Sequence, residues 1–413
     1  MIYSFFPRGR SVLTAGLCLA GTAFGIISLG STPFKGVAGV ERAEPFPRHS
    51  LSVLPKLSTA AAPETKRAQH PKNNQKEVNR LADEREKDGP MPEIEMVTVE
   101  EPPKPRELYH IASRVLDIPR MERVYKLQRA VVNLKAPLAA PLYHMTDMEL
   151  TRFGRKVRAR LYTPEKEDGG CLILFFHGGG WVTESVDSYH GVCAKLADEL
   201  GAKVISVEYG LAPEHRFPVG LEDCFAAAAE IFAESGSFGY GPEDIVLMGD
   251  SAGGNLAAAV SLMGRDRELF SVRRQVLLYP ATYNDHSPET SPFPSIRENG
   301  EGYILTAKRL CEYWELYLSP DDWYDPYAAP LLEKNLSRQP DTLVITAGLD
   351  PLRDEGEAYG RRLREAGNWA EVCRMEEALH GFISRVQSPE FARACELMRG
   401  FLRRGKEDSD GKE

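Results

Sequence analysis

The residues best suited to chemistry are a serine between small residues, a late aspartate and histidine, and a run of three glycines. Ser251 stands in Gly249-Asp250-Ser251-Ala252-Gly253, a G-x-S-x-G pattern directly after the apolar run 245–248 (IVLM) and directly before the helical run 254–263. A strand-to-helix turn this sharp needs small neighbours, exposes the hydroxyl and aims the N-H groups of the new helix at the reacting centre. The bare pattern also fits an ordinary glycine-rich turn, and its strand-then-helix setting argues against that. A serine hydroxyl is a poor nucleophile at neutral pH, so a base must take its proton and a carboxylate must hold that base in one tautomer. Asp350 follows the apolar run 343–346 across Ala347, Gly348 and Leu349; His380 lies in Ala378-Leu379-His380-Gly381-Phe382, after the apolar run 370–375. Taken singly, Asp350 also reads as a helix N-cap before Pro351, and His380 as a packed loop histidine. In the order serine, acid, histidine they read as acid and base, with Asp354 as the competing acid one helical turn on.

His177-Gly178-Gly179-Gly180-Trp181 follows the apolar run 171–176 (CLILFF). Consecutive glycines are costly unless backbone must approach something closely. Here that would be the oxyanion of a tetrahedral intermediate, where losing one donor typically costs about 3 to 4 kcal/mol. Gly179 and Gly180, with Ala252, are the expected N-H donors. A phosphate cradle is the weaker alternative, because no Lys-Ser/Thr pair follows the glycines.

These groups need a scaffold that brings loops together. Apolar runs at 171–176, 204–207, 245–248, 276–279 and 343–346 alternate with helical patterns near 188–200, 221–233, from 252, 355–365 and 388–402. Such alternation predicts an α/β fold, a parallel sheet covered on both faces by helices, with the chemistry on loops at the carboxyl ends of the strands. The stretch 283–301 breaks the rhythm before a helix at 307–318, and is read as an insertion roofing the site. Met121, Val124, Leu127 and Val131 recur at helical steps and predict amphipathic helices opening the domain.

The ends have a different character. Between Arg10 and Lys35 there is no charge, and 11–29 is apolar or small throughout. At about 20 residues it can just cross a hydrocarbon core of ~30 Å. The preceding Arg8 and Arg10 would keep the N-terminus cytoplasmic. It is expected to be a membrane anchor placing the catalytic domain outside the cytoplasm; a cleaved signal, giving a secreted protein, is the alternative. Residues 31–106, rich in Pro, Lys and Glu and without periodicity, are expected to be a disordered linker, 107–404 the catalytic domain, and 405–413 a flexible charged tail. With 51 Lys+Arg against 60 Asp+Glu the formal charge is −9, which disfavours a nucleic-acid partner. Seven cysteines at irregular spacing, without a CxxC or Cys/His cluster, predict no structural zinc; Cys171, Cys193 and Cys224 are expected as buried thiols, with a disulfide as the alternative.

HGGGW (177–181), EYGLAPEHRFPVGLED (208–223), GDSAGGN (249–255), DPLRDEG (350–356) and HGF (380–382) together resemble the hormone-sensitive-lipase, or GDXG, family of α/β-hydrolases. The resemblance spans about 143–401 and implies a mostly parallel eight-stranded sheet, a helical cap at 107–142 and about 283–318, carboxylic-ester hydrolysis and no cofactor. Carried over by position, Ser251, Asp350 and His380 are its triad, and Gly179, Gly180 and Ala252 its oxyanion hole. Glu208 and Gly210 depart from that pattern, where Asp and Arg are common. His215, Glu222 and Asp223 are read as turn and cap residues, Trp314 and Trp323 as core or cap-wall aromatics, and Asp250 as an electrostatic or structural support. The expected reaction is cleavage of small, fairly apolar esters through an acyl-enzyme. An amidase or deacetylase would use the same triad, and a non-catalytic ligand receptor on the same fold would dispense with the histidine that this sequence keeps.

Overall fold

The computed structural model describes residues 120–134 and 144–404. The expected anchor, linker and charged tail, Cys18, and residues 107–119 and 135–142 of the expected cap lie outside the described residues. Eight strands form one sheet: β1 (His144–Arg152), β2 (Arg155–Thr163), β3 (Leu172–Phe176), β4 (Lys203–Val207), β5 (Ile245–Asp250), β6 (Arg274–Leu278), β7 (Asp341–Leu349) and β8 (Ala370–Leu379). Their order is β1-β2-β4-β3-β5-β6-β7-β8, parallel from β4 to β8 and antiparallel at β1 and β2. The helices are α1 (Met121–Leu134), α2 (His190–Leu200), α3 (Val219–Ala233), α4 (Ala252–Asp266), α5 (Pro294–Asn299), α6 (Ala307–Tyr317), α7 (Arg353–Glu365) and α8 (Pro389–Arg403).

The central strands β3, β5 and β6 are buried at every position because both faces of the sheet are covered. Successive side chains point to opposite faces, so each strand feeds two cores. Leu172, Leu174 and Phe176 of β3, with Ile245 and Leu247 of β5, pack with α3, α4 and α7. Ile173 and Phe175, with Val246 and Met248, pack with α2 and α8. Helix α4 is buried along nearly its whole length, which accounts for its run of Ala and Gly. Cys171, Cys193 and Cys224 are buried thiols, and burial pushes Cys193 up to about 12.

Two elements depart from the sequence pattern. The hairpin β1–β2 carries no apolar run, because β1 is a largely exposed edge strand. It turns through Phe153 and Gly154, both with positive φ (52° and 76°), the two-residue turn that matches strand twist. In α1 the buried stripe is Met121, Tyr125 and Val132, while Leu127 is 53% exposed. Of the expected stripe, Met121 is buried, Val124 packs half-buried against the core and Val131 is half-buried; Leu127 is the member that is corrected. The face turned inward is the one carrying Tyr125 and Arg129, whose polar tips find partners on the domain, as shown below.

Leu247 lies fully buried at the centre of β5. Leu247→Ala is expected to cost about 2 to 5 kcal/mol in chemical denaturation, since the rigid surroundings leave a cavity.

Candidate active site

Strands β3 and β5 are neighbours in register, Phe176 opposite Gly249, so the loops leaving their carboxyl ends lie side by side. Ser251 links β5 to α4 at φ 54° and ψ −117°, a conformation that non-glycine residues rarely adopt. The turn closes only because of its glycines. A Cβ on Gly253 would overlap the Phe176 carbonyl, and one on Gly249 would overlap the Gly253 carbonyl. Ser251 N-H donates to the Leu278 carbonyl at 2.9 Å, and the Ser251 carbonyl accepts from Asn255 N at 3.1 Å and Ala281 N at 3.2 Å. Asn255 in turn donates through Nδ2 to the carbonyls of Ala281 and Ala328.

His380 follows β8 and Asp350 follows β7. His380 Nε2 lies 2.9 Å from Ser251 Oγ, and His380 Nδ1 lies 2.7 Å from Asp350 Oδ2. The other carboxylate oxygen of Asp350 accepts from Leu352 N at 2.9 Å. Asp350 thus closes the turn leading into α7 and faces the histidine at once; the cap position of α7 is Leu352, without a side-chain cap bond, so the N-cap reading of Asp350 is corrected. Asp354 does not reach His380; its carboxylate accepts from Ser295 N at 2.7 Å and pairs with Arg353. The Asp350 side chain is fully buried while that of His380 keeps 13% exposure and Ser251 is half-buried, so this line of groups is sealed at its aspartate end and opens outward at the other. Tyr279 packs edge-on against the imidazole at 4.9 Å.

In the glycine run, Gly179 (φ 102°) and Gly180 (φ 61°) hold left-handed conformations. The Gly179 carbonyl accepts from Val182 N (3.1 Å), Thr183 N (2.9 Å) and Thr183 Oγ1 (3.0 Å). A peptide is planar and trans, so fixing that carbonyl fixes the Gly180 N-H on the opposite side. The Gly178 carbonyl is held likewise by His177 Nδ1 at 2.8 Å, with the Tyr209 hydroxyl at 3.4 Å. Burial lowers His177 to about 4, so its ring is neutral at physiological pH. Ala252 opens α4, where backbone N-H groups have no partner within the helix. The ring of Tyr313, from α6, lies against Gly180, where a Cβ would sit 2.5 Å from its Cγ.

Asp250 joins the two loops. Fully buried, its carboxylate accepts from Gly178 N (2.8 Å), the Tyr189 hydroxyl (2.9 Å) and the Tyr279 hydroxyl (3.3 Å). Burial nevertheless outweighs these donors and pushes it up to about 6. The sequence pointed to Asp250 but not to Tyr189 or Tyr279, which stand 61 and 29 residues away without a motif. A second unmarked pair is His286 with Glu355, both fully buried and 2.8 Å apart. Glu355 also accepts from Thr282 N and Tyr283 N, tying α7 to the loop after β6.

The other singled-out residues are structural. Asp223 accepts from Gly210 N and pairs with Arg155, which Glu222 also meets; His215 is an exposed turn residue. Glu208 accepts from Val186 N at 2.9 Å, so it holds the turn where the family pattern has Asp. Trp314 is fully buried and Trp323 half-buried beside it. Among the described residues no cluster of three His, Cys, Asp or Glu side chains could hold a metal ion, and no helix is long and apolar enough to cross a membrane.

The Asp250 shift has a consequence for stability. The folded protein holds this proton more tightly than the unfolded chain, whose ordinary value is 3.8, so unfolding releases it between about 3.8 and about 6. The stabilisation is therefore present in full below that window, is lost as pH rises through it, and is flat above. Urea denaturation across pH is expected to show wild type losing up to a few kcal/mol relative to Asp250→Asn between about pH 4 and 6. A difference independent of pH would show that Asp250 is not raised.

The family model describing the α/β-hydrolase fold matches residues 173–384. An arylesterase of Saccharolobus solfataricus is 34% identical over 270 residues, which cover 65% of this chain and 85% of that protein. An ethyl acetate hydrolase of Pseudomonas putida is 36% identical over 245 residues, 58% of this chain and 76% of that one. Among solved structures, the hyperthermophilic esterase from Pyrobaculum calidifontis superposes with a TM-score of 0.64 at 35% identity, covering 72% of this chain and 96% of that one. With its sheet order, its elbow and these relatives in agreement, the chain belongs to the α/β-hydrolase family, in the hormone-sensitive-lipase-like group of carboxylic-ester hydrolases.

Proposed function

We propose that the chain cleaves small, fairly apolar carboxylic esters through an acyl-enzyme on Ser251. The observation carrying this is the continuous hydrogen-bonded line from Asp350 through His380 to Ser251. His380 Nε2 takes the proton as Ser251 Oγ attacks the ester carbonyl carbon. Asp350 keeps the proton of the imidazole on Nδ1 and stabilises the imidazolium that forms. The carbonyl oxygen, now negative, is met by the N-H groups of Gly179, Gly180 and Ala252. Collapse breaks the bond to the alkoxy group, which leaves as alcohol with the proton held by His380. Water, deprotonated by the same nitrogen, then attacks the acyl-enzyme and releases acid and Ser251.

A receptor role on this fold is disfavoured because His380 is present and placed between its two partners. The half-buried Tyr313 against Gly180 gives the reacting centre an aromatic wall, which supports an apolar acyl group of limited size, as do an arylesterase and an ethyl acetate hydrolase among the relatives. We read 107–142 and about 283–318 as the cap over this wall. Its described parts meet where Glu312 of α6 accepts from Met121 N of α1 at 2.9 Å.

Ser251→Ala is expected to leave a folded protein with only the residual catalysis of binding and oxyanion stabilisation, roughly 10³ to 10⁴ over water, and no labelling by a fluorophosphonate. Asp350→Asn should lose on the order of 10⁴ in kcat. A p-nitrophenyl ester series, run beside anilide and acetamide analogues, reads both effects and the bond cleaved. Wild-type hydrolysis in Ser251→Ala would reject the mechanism. The apolar stretch 11–29 is proposed as a membrane anchor with the catalytic part outside the cytoplasm, and fractionation of the full-length chain should place it with membranes; release into the medium would support a cleaved signal instead.

A further inference from the structure

Resting on the ester-hydrolase reading, we propose that Arg129, on helix α1 and far from every motif, is a positioning residue for the oxyanion hole. Its side chain is 22% exposed, and both of its hydrogen bonds to backbone end on the segment beside the glycine run or on the loop bonded to that segment. Nε donates to the Val182 carbonyl at 2.6 Å and Nη2 to the Ala212 carbonyl at 2.7 Å. The same group pairs with Glu214 at 3.0 Å and lies 4.8 Å from the centre of the Tyr125 ring, whose hydroxyl donates to Glu214 as well. One planar fork thus joins two loops that no strand connects, and only arginine offers several donors in so rigid an array.

The consequence follows along the backbone. Val182 and Thr183 supply all three hydrogen bonds to the Gly179 carbonyl, and the Ala212 N-H donates to the Trp181 carbonyl at 2.9 Å. Arg129 therefore fixes, from outside, the short segment that holds the Gly179–Gly180 peptide plane from inside. Glycines with positive φ have little torsional preference of their own, so the direction of the Gly180 N-H depends on these contacts. Without Arg129 the Gly179 carbonyl still has its donors, but the segment bearing them is tethered at one fewer place on each side. Misplacing a donor by a fraction of an ångström weakens stabilisation of the transition state while substrate, bound mainly through apolar contact, is little affected. Helix α1 is then part of the catalytic geometry as well as part of a roof.

The test compares kcat, KM and inhibition by an alkyl trifluoromethyl ketone, whose adduct with Ser251 places an oxyanion in the hole. Arg129→Ala is expected to lower kcat about 10- to 100-fold with KM within about threefold. The inhibition constant for the ketone should rise by the factor by which kcat/KM falls. Arg129→Lys keeps the charge opposite Glu214 but cannot span both carbonyls, and should fall between the two. Thr183→Val removes one donor to the same carbonyl, so its effect and that of Arg129→Ala should combine to less than their product. Should Arg129→Ala fail to fold in a thermal melt, Arg129→Lys carries the same comparison. A raised KM with unchanged kcat, unchanged ketone affinity, or effects that multiply fully would overturn the proposal. Ser251→Ala is measured alongside: hydrolysis surviving there defeats the site assignment itself, whereas wild-type kcat in Arg129→Ala with Ser251→Ala inactive defeats only the role of Arg129.

Discussion

The backbone of Ser251 is the constraint on which the site is built. A non-glycine residue at φ 54° and ψ −117° costs on the order of 1 to 3 kcal/mol and persists only where its surroundings over-determine it. Here they do so from both sides. Strand β5 lies between β3 and β6, and the elbow is closed on one side by contact of Gly253 with the Phe176 carbonyl and on the other by hydrogen bonds from Ser251 to Leu278 and from Ala281 to Ser251. The hydroxyl is raised clear of the sheet because the backbone beneath it has no room to relax.

From that fixed point the other groups are placed by the demand that buried polar atoms find partners. The Asp250 carboxylate cannot face apolar core unaccompanied, and it gathers an N-H from the glycine run and hydroxyls from the residue before α2 and the residue after β6. Its burial penalty is thereby converted into a bond between the Ser251 loop and the glycine loop. The carbonyls of Gly178 and Gly179 are saturated in the same way, and each accepted bond turns the N-H of the following residue to the opposite side. Orientation in a glycine-rich loop, which the chain itself leaves soft, comes from partners within the loop, from Tyr209 after β4 and from Asp250 at the end of β5.

Burial is graded across the chemical groups. Asp350 is sealed, held by Leu352 N-H on one oxygen and by His380 on the other, while the histidine keeps a narrow opening. Two aromatic rings stand beside these groups, Tyr279 edge-on against the histidine and Tyr313 against Gly180.

The sequence by itself determined the class of fold and the core of the site, because both rest on local rules. Strand alternation writes two faces into β3 to β7, and a strand-to-helix elbow needs small residues at set offsets from Ser251, so both can be read along the chain. The convergence of Asp350 and His380 on Ser251 was legible as well, since each follows a strand at the carboxyl edge of the sheet. The hairpin β1–β2 and the inward turn of Tyr125 and Arg129 in α1 were not: an exposed edge strand carries no apolar signal, and a helix can turn polar residues inward once a partner awaits them. Only tertiary structure decided that Tyr189 and Tyr279 meet Asp250, that Glu355 meets His286, and that Arg129 reaches Val182 from 53 residues away. A hydroxyl or guanidinium in a sequence carries no mark of what will face it, because that is set by which loops the sheet order brings together.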